Sequence, residues 1–434
     1  MHLKKLLLLA IVGMVIAGGL FAGGAQEKVQ AAPGEAKGEL ENWTWTYKCI
    51  DEWLVPAFNK RYPNIKVTTV PMAFDETHDK LFTAIAAGSG APDFATIDAV
   101  YIQKFVEQGG LVDVTDYINT KPGEFGEYKL KMDMGADGRI YGVPFNSAPV
   151  GLWYRKDILE NNGIAVPVLW DEYLQDGRKL KNNGVYITSI SVAAKGMDRT
   201  LHGEVGLHAL LTNQQRGTYF DDSGKVILNT PESRKSMQLM KTMVDEGLAA
   251  NVAQGSPAYY DLMDKSQLAS VISAAWYINV LENFIKEGSA AYGNYRFAPL
   301  PAFAKGGVRT SVLGGSELCM FKQTPKAQRD LAMIFIDWAN TTLEAKIVHA
   351  QYGEFPAWIP AQKNEQVLSQ TWGMTGDQEL NRVFAELVRE IPPWKIPPQY
   401  TEVQRILQAK MNAIFVGETS VEQGLIEAER EANR

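Results

Sequence analysis

The side chains best able to engage a small molecule fall where strands are predicted to end. Trp45 and Tyr47 follow a first strand, Asp98 ends a third, and Asn146 and Ser147 leave another. Trp276 closes a later strand, and Gly315, Ser316 and Glu317 follow Gly314 in a turn. In open α/β sheets, ligands sit at the carboxyl ends of strands. Carboxylates and amides there can pair with hydroxyls, and aromatic rings can cover flat apolar faces. Sugars present both surfaces, so this set predicts recognition without a reaction. Two other chemistries use the same residues. Asp98 and Glu317 can act as the carboxylate pair of a glycoside hydrolase. Asp75, Asp98 and Glu317, with nearby rings, can hold a polyamine or another cation.

Each candidate also has a structural role open to it. Asp98 can cap the helix that follows, and one oxygen can cap while the other binds. Asp93 reads as fixing the turn after Pro92, and Glu317 as an ordinary surface acid. Trp43 and Trp45 alternate along a strand, so only one of them faces the core. Trp53, Trp153, Trp170 and Trp338 fall inside predicted elements and read as core. Trp358 and Trp394 sit in Pro-flanked loops, where either packing or stacking on a ligand is open to them.

Enzyme signatures are missing. There is no Gly-x-Gly-x-x-Gly after a strand, no Gly-Lys-Ser/Thr phosphate loop, no Gly-x-Ser-x-Gly elbow and no His-Glu-x-x-His. The five histidines, His2, His78, His202, His208 and His349, are scattered without metal-ligand spacing. No catalytic residue, metal or cofactor is expected.

The elements that must position these residues alternate at short spacing. Strands are predicted at Glu39–Trp45, Ile65–Pro71 and 94–98, with helices at Ile50–Arg61, His78–Ala87 and after Asp98. The stretch Ala84–Ile118 is the clearest unit: a helix ending in Gly88 and Gly90, a strand ending at Asp98, and a helix stopped by Gly109-Gly110. Strands follow at Ile140–Pro144, Val150–Tyr154, Val185–Ser191, Leu268–Ser273 and within Arg309–Phe321. Thr230-Pro231 opens a long helix as N-cap and first helical residue. The tail is helical, interrupted by the Pro-rich Ile391–Pro398. Such alternation predicts largely parallel sheets covered by helices.

The N-terminus reads as an export leader. Lys4 and Lys5 precede the apolar run Leu6–Ile16, and small residues through Ala25 offer cleavage after Ala22, Gly24 or Ala25. A retained anchor is the alternative, but the run falls short of the ~20 residues of a spanning helix. No Cys follows the run to carry a lipid. Residues 26–38 read as a flexible tether. Without the two lysines the net charge moves from −7 to −9, which argues against a nucleic-acid partner. Cys49 and Cys319 read as two buried thiols, although an exported chain could bridge them.

An ordered series of segments resembles a known family, the extracellular solute-binding proteins of ABC importers, in the sugar-binding group that includes maltose-binding protein. The series runs Trp43-Thr44-Trp45, then Phe58 to Val67 with Pro63 and Ile65, then Ala86-Ala87-Gly88 with Pro92-Asp93 and Gly110-Leu111. It continues with Asp137 to Pro144, Tyr154 to Asp157, Gly163-Ile164 to Glu172, Gly314-Gly315, Ala332 to Trp338 and Phe355-Pro356-Ala357. The resemblance implies an α/β fold of two lobes, each a mostly parallel sheet flanked by helices. Hinge strands join the lobes and a ligand cleft lies between them. It implies an N-terminal lobe of 39–145 plus about 312–355, and a C-terminal lobe of 146–311 plus about 356–434. Crossings are expected near Phe145–Val150, near Arg309–Leu313 and after Phe355.

Residue by residue, the family's ligand contacts fall on Trp45, Tyr47, Asp75, Asp98, Asn146, Ser147, Trp276 and Gly315–Glu317, with Trp394 or Tyr400 lent by the tail. Trp358 replaces the family's usual basic residue, which favours stacking there over reading an anion. The implied partners are a mono- or oligosaccharide and the membrane subunits of an ABC permease. The protein is then a monomer in the periplasm or outside the cell.

Overall fold

The computed structural model describes residues 35–192 and 203–434. The predicted leader, the tether as far as residue 34, and His202 lie outside them.

The chain opens with β1 (Gly38–Thr44) and β2 (Ile65–Pro71), paired in parallel from Gly38↔Ile65 to Thr44↔Pro71. In β2, Ile65 and Val67 are buried while Lys66 and Thr68 face out, the period of two that the β-branched spacing predicts. β3 (Phe94–Asp98) lies on the other edge of β1 and is buried on both faces. β4 (Val143–Pro144) precedes the first crossing.

The second lobe holds β5 (Val150–Arg155), β6 (Thr188–Ser189), β7 (Ala249–Ala250), β8 (Ser270–Ala274) and β9 (Tyr295–Pro299). The chain then returns, and β10 (Ser316–Met320) inserts antiparallel between β3 and β4. The first sheet is therefore ordered β2-β1-β3-β10-β4. The larger sheet of the second lobe, β8-β5-β9, departs from the mostly parallel expectation, because both of its pairings are antiparallel. β8 and β9 do run in the same sense, as helix-linked strands should. β5 enters from the hinge in the opposite sense and separates them.

Local signals act as anticipated in several places. The helix Phe74–Ala87 ends on Gly88, with φ +68° in the left-handed region. Thr230 caps the helix Pro231–Asp245 through the Ser233 amide at 3.2 Å, with Pro231 in its first turn. Cys49 and Cys319 are separate buried thiols.

Three segments tie the lobes together. The Ser147 amide donates to the Phe355 carbonyl (2.8 Å), the Val150 amide to Ser311 (2.9 Å), and the Leu313 amide to Ala148 (3.3 Å). The lobes are closed on each other. Ala99, Val100, Tyr128 and Met132 of the first lobe pack into the core that contains Trp394 and Tyr400. Residues beyond Phe355 stay with the first lobe for some distance, as Ala357 and Trp358 pack on its core.

Candidate functional site

The end of β1 carries a shelf of rings. Trp45 is half-buried, edge-on to Phe74 at 4.9 Å and tilted over His78 at 5.1 Å. His78 in turn stacks on Tyr101 at 4.2 Å. Phe74 and His78 lie one turn apart in the helix Phe74–Ala87 and so share a face. Tyr101 is in the first turn of the helix Ala99–Glu107. His78 is 1% exposed. One of its ring nitrogens, Nδ1, lies 2.8 Å from the Phe74 carbonyl, and the Asp98 amide donates to the other, Nε2, at 3.1 Å. Sequence reasoning misses Phe74, His78 and Tyr101. The helix begins four residues before the predicted start at His78, on Ala73, a residue without a capping side chain. The available signal is Glu76, whose carboxylate accepts from the Ala73 amide at 3.4 Å.

Tyr47 is 38% exposed at the start of a π-helical turn, Lys48–Leu54, that leaves the end of β1. Such turns cluster at functional sites. Asp75 is exposed, one residue beyond Phe74.

Asp98 sits where β3 ends, and its Oδ1 accepts from the Val100 amide at 3.1 Å. It therefore caps the following helix. The carboxylate is only 3% exposed. Burial pushes its pKa up to about 7, aided by Glu317 and opposed by the Val100 amide and Lys129. Tyr400, on the tail helix of the other lobe, feels both its own burial and the charge of Asp98, and both push its phenol up.

Glu317 is not a surface acid, and it offers the cleft no free carboxylate. In β10 successive side chains alternate. Ser316 meets Asn146, while Glu317 enters the opposite face, where it is fully buried and bonded to the Lys129 ammonium. Asp133, also buried, joins them. Glu317 alone bonds the ammonium, and Asp133 adds a second buried negative charge nearby. Lys129 keeps its charge, and burial together with Asp133 pushes Glu317 up. Gly314 and Gly315, with φ +73° and +100°, carry the chain past this cluster. A side chain at Gly315 would come 3.0 Å from the Lys129 ammonium.

Asn146 and Ser147 serve the hinge. Asn146 Oδ1 accepts from the Ser316 amide (2.7 Å) and hydroxyl (3.2 Å), and its Nδ2 donates to Glu354. Asn279 of the second lobe donates to the other oxygen of Glu354 at 3.4 Å. Burial pushes Glu354 up to about 7, against Asn146 and Lys346. It pushes Lys346 down to about 7, against Cys49 and Glu354. Ser147 accepts from the Tyr128 hydroxyl at 2.9 Å. It also lines an interlobe cavity of about 220 Å³ with Tyr128, Gln362, Arg389 and Ile391.

The remaining tryptophans divide. Trp276, half-buried at the end of β8, donates its indole N–H to the Leu313 carbonyl of a hinge segment at 2.9 Å. Trp358 is half-buried and donates to Glu124 at 2.7 Å, pinned to the first lobe. Trp394 is 8% exposed in the second core, 6.0 Å from the Tyr400 ring. Its Pro-flanked loop folds inward, so stacking on a ligand in the cleft would require it to leave that core. The structure thus brings Trp45 and Asp98 together with the three rings that sequence reasoning misses. It gathers Asn146, Ser316 and Glu354 at the hinge and leaves Trp358 and Trp394 apart. Among the described residues, no three His, Cys, Asp or Glu side chains are grouped to hold a metal ion. No described helix is long and apolar enough to cross a membrane.

Comparison with known proteins fits this geometry. The arabinooligosaccharide-binding protein of Bacillus subtilis is 28% identical over 355 residues, covering 79% of this chain and 78% of the relative. The lactose-binding protein of Rhizobium radiobacter is 24% identical over 313 residues, 69% and 70% of the two chains. Among solved structures, the ABC transporter associated binding protein from B. animalis subsp. lactis in complex with β-1,6-galactobiose superposes with a TM-score of 0.75. It shares 22% identity over 91% of this chain and 97% of that one. Maltose-bound MalE3 of T. maritima gives 0.74, with 22% identity over 91% and 98%. These likenesses establish a two-lobed fold. The model of the family described as bacterial extracellular solute-binding protein matches residues 44–343, and the chain belongs to that family.

Proposed function

We propose that this protein captures a neutral carbohydrate, an oligosaccharide in preference to a single sugar, between its lobes and presents it to an ABC-type permease. The observation that carries the reading is the shelf at the end of β1, where Trp45 stands half-open on His78, the ring that also stacks on Tyr101 and meets the Asp98 amide. Rings of this kind cover the apolar face of a sugar, and the carboxylate supplies directed acceptors. The sugars in the names of the relatives support the same class. In this reading Trp45, Tyr47, Asp75, Asp98 and Trp276 meet the ligand. Asn146, Ser147 and Ser316 set the hinge geometry behind them. The protein performs no reaction, is exported by its leader and acts as a monomer.

The polyamine alternative loses support. Of its three acids, Glu317 is spent on Lys129, and burial of Asp98 works against the full negative charge a cation would need.

Isothermal titration against arabinotriose, lactose, maltose and β-1,6-galactobiose, with spermidine as the charged control, tests the proposal. A neutral sugar should bind saturably with little dependence on salt. Binding of spermidine with no response to any sugar would sink the carbohydrate reading. Product released during long incubation with a bound oligosaccharide would sink the non-enzymatic one.

A further inference from the structure

The geometry points to His78 as the positioning residue of the ligand site: its neutral ring holds Trp45 and Tyr101 as one shelf and ties that shelf to the end of β3 at Asp98. This rests on the reading of Trp45 as a stacking surface for the ligand.

The hydrogen bonds decide the state of the ring. The Phe74 carbonyl can only accept, so Nδ1 carries the proton. The Asp98 amide can only donate, so Nε2 presents its lone pair. Both contacts hold only for the neutral, Nδ1-protonated tautomer. A proton on Nε2 would set two donors against each other and break the tie to Asp98. The same ring lies 4.2 Å from Tyr101, 5.1 Å from Trp45 and 4.7 Å from Phe74. One side chain therefore links the end of β1, the helix Phe74–Ala87 and the strand end that carries Asp98. Asp98 on β3 and Tyr101 on the following helix are titratable groups that face it, and Trp45, Phe74 and Phe105 are among the rings around it.

A residue that merely filled space here could be replaced by phenylalanine. His78→Phe keeps a ring in the stack but removes both directed bonds. His78→Gln keeps one donor and one acceptor and cannot take up a proton. Arabinotriose titrations of wild type and both variants at pH 7.5 separate the roles. At pH 7.5 His78→Phe should bind at least tenfold more weakly, with His78→Gln between it and wild type. Equal affinities for wild type and His78→Phe would overturn the proposal.

Long-range ¹H–¹⁵N spectra of the imidazole in the sugar-free protein test the ring state independently of any ligand. They should report the Nδ1–H tautomer, and an Nε2–H tautomer would overturn the assignment. If wild type binds no sugar, the carbohydrate reading falls alone and the tautomer measurement still decides for or against His78.

Discussion

Two strand termini of the first lobe lie at the same end of its sheet, on either side of β3, and spend their polar and aromatic groups differently. At the end of β1, Trp45 stands half-open on a support of His78, Phe74 and Tyr101. At the start of β10, Glu317 lies wholly inside, bonded to Lys129 beside Asp133. The first region is mostly rings, and the two His78 nitrogens that join them are paired with backbone groups, which leaves an apolar face for a ligand. The second is charged, and its charges are consumed in holding the lobe together. By residue type alone, both resemble ligand contacts. What separates them is the partner each one meets.

The sharpest test of this contrast is Glu317→Ala. It leaves the Lys129 ammonium buried without its partner, and breaking such a pair costs about 3–5 kcal/mol. Urea unfolding should show the loss, while sugar affinity of the folded fraction stays within about twofold of wild type. Next comes Trp45→Ala, with the opposite signature. Loss of a central hot-spot ring from a binding site costs about 2 kcal/mol or more, so titration should show at least tenfold weaker binding with a small change in stability. A Trp45→Ala protein that bound normally would move the site elsewhere.

The pH dependence sharpens the comparison at the lobe boundary. Asp98 and Glu354 are raised to about 7 and Asp133 to about 6. The folded chain therefore binds more protons than the unfolded one, and these groups lower stability as pH rises from about 4 to 7. Lys346 is lowered to about 7. Its folded form binds fewer protons than the unfolded one, so above pH 7 its contribution raises stability with pH. Together they should produce a dip near neutrality in the melting temperature measured across pH 4.5–9. Asp98→Asn should flatten its acid side, and an unchanged profile in that variant would separate Asp98 from the effect. The smallest change is expected from Trp358→Phe. Loss of the indole bond to Glu124 costs about 1 kcal/mol in thermal unfolding, with ligand affinity unchanged.

Much of the architecture is legible in the residues themselves. Alternating β-branched side chains mark Ile65–Pro71 as a strand to the residue. Thr230-Pro231, Gly88 and the capping role open to Asp98 are also visible, since each acts on residues within one helical turn. The two-lobed fold follows from an ordered series of weak segments. The start of the helix at Phe74 is not legible, because Ala73 lacks a capping side chain, and with it goes the shared face of Phe74 and His78. The loop tryptophans are ambiguous for a similar reason. Pro-flanked segments leave the direction of a side chain open until something packs against it.

The sequence by itself determined the order of strands and helices, their caps and the placing of polar and aromatic residues at strand ends. These follow from propensity, alternation and hydrogen bonds between near neighbours, which act within a few residues. The tertiary structure alone decided which of those residues remain available. Glu317 meets Lys129 across 188 positions, Asn146 meets Glu354 across 208, and Trp358 meets Glu124 across 234. Whether a carboxylate binds a ligand or a lysine depends on which elements the fold packs beside it, and that is a property of the whole chain.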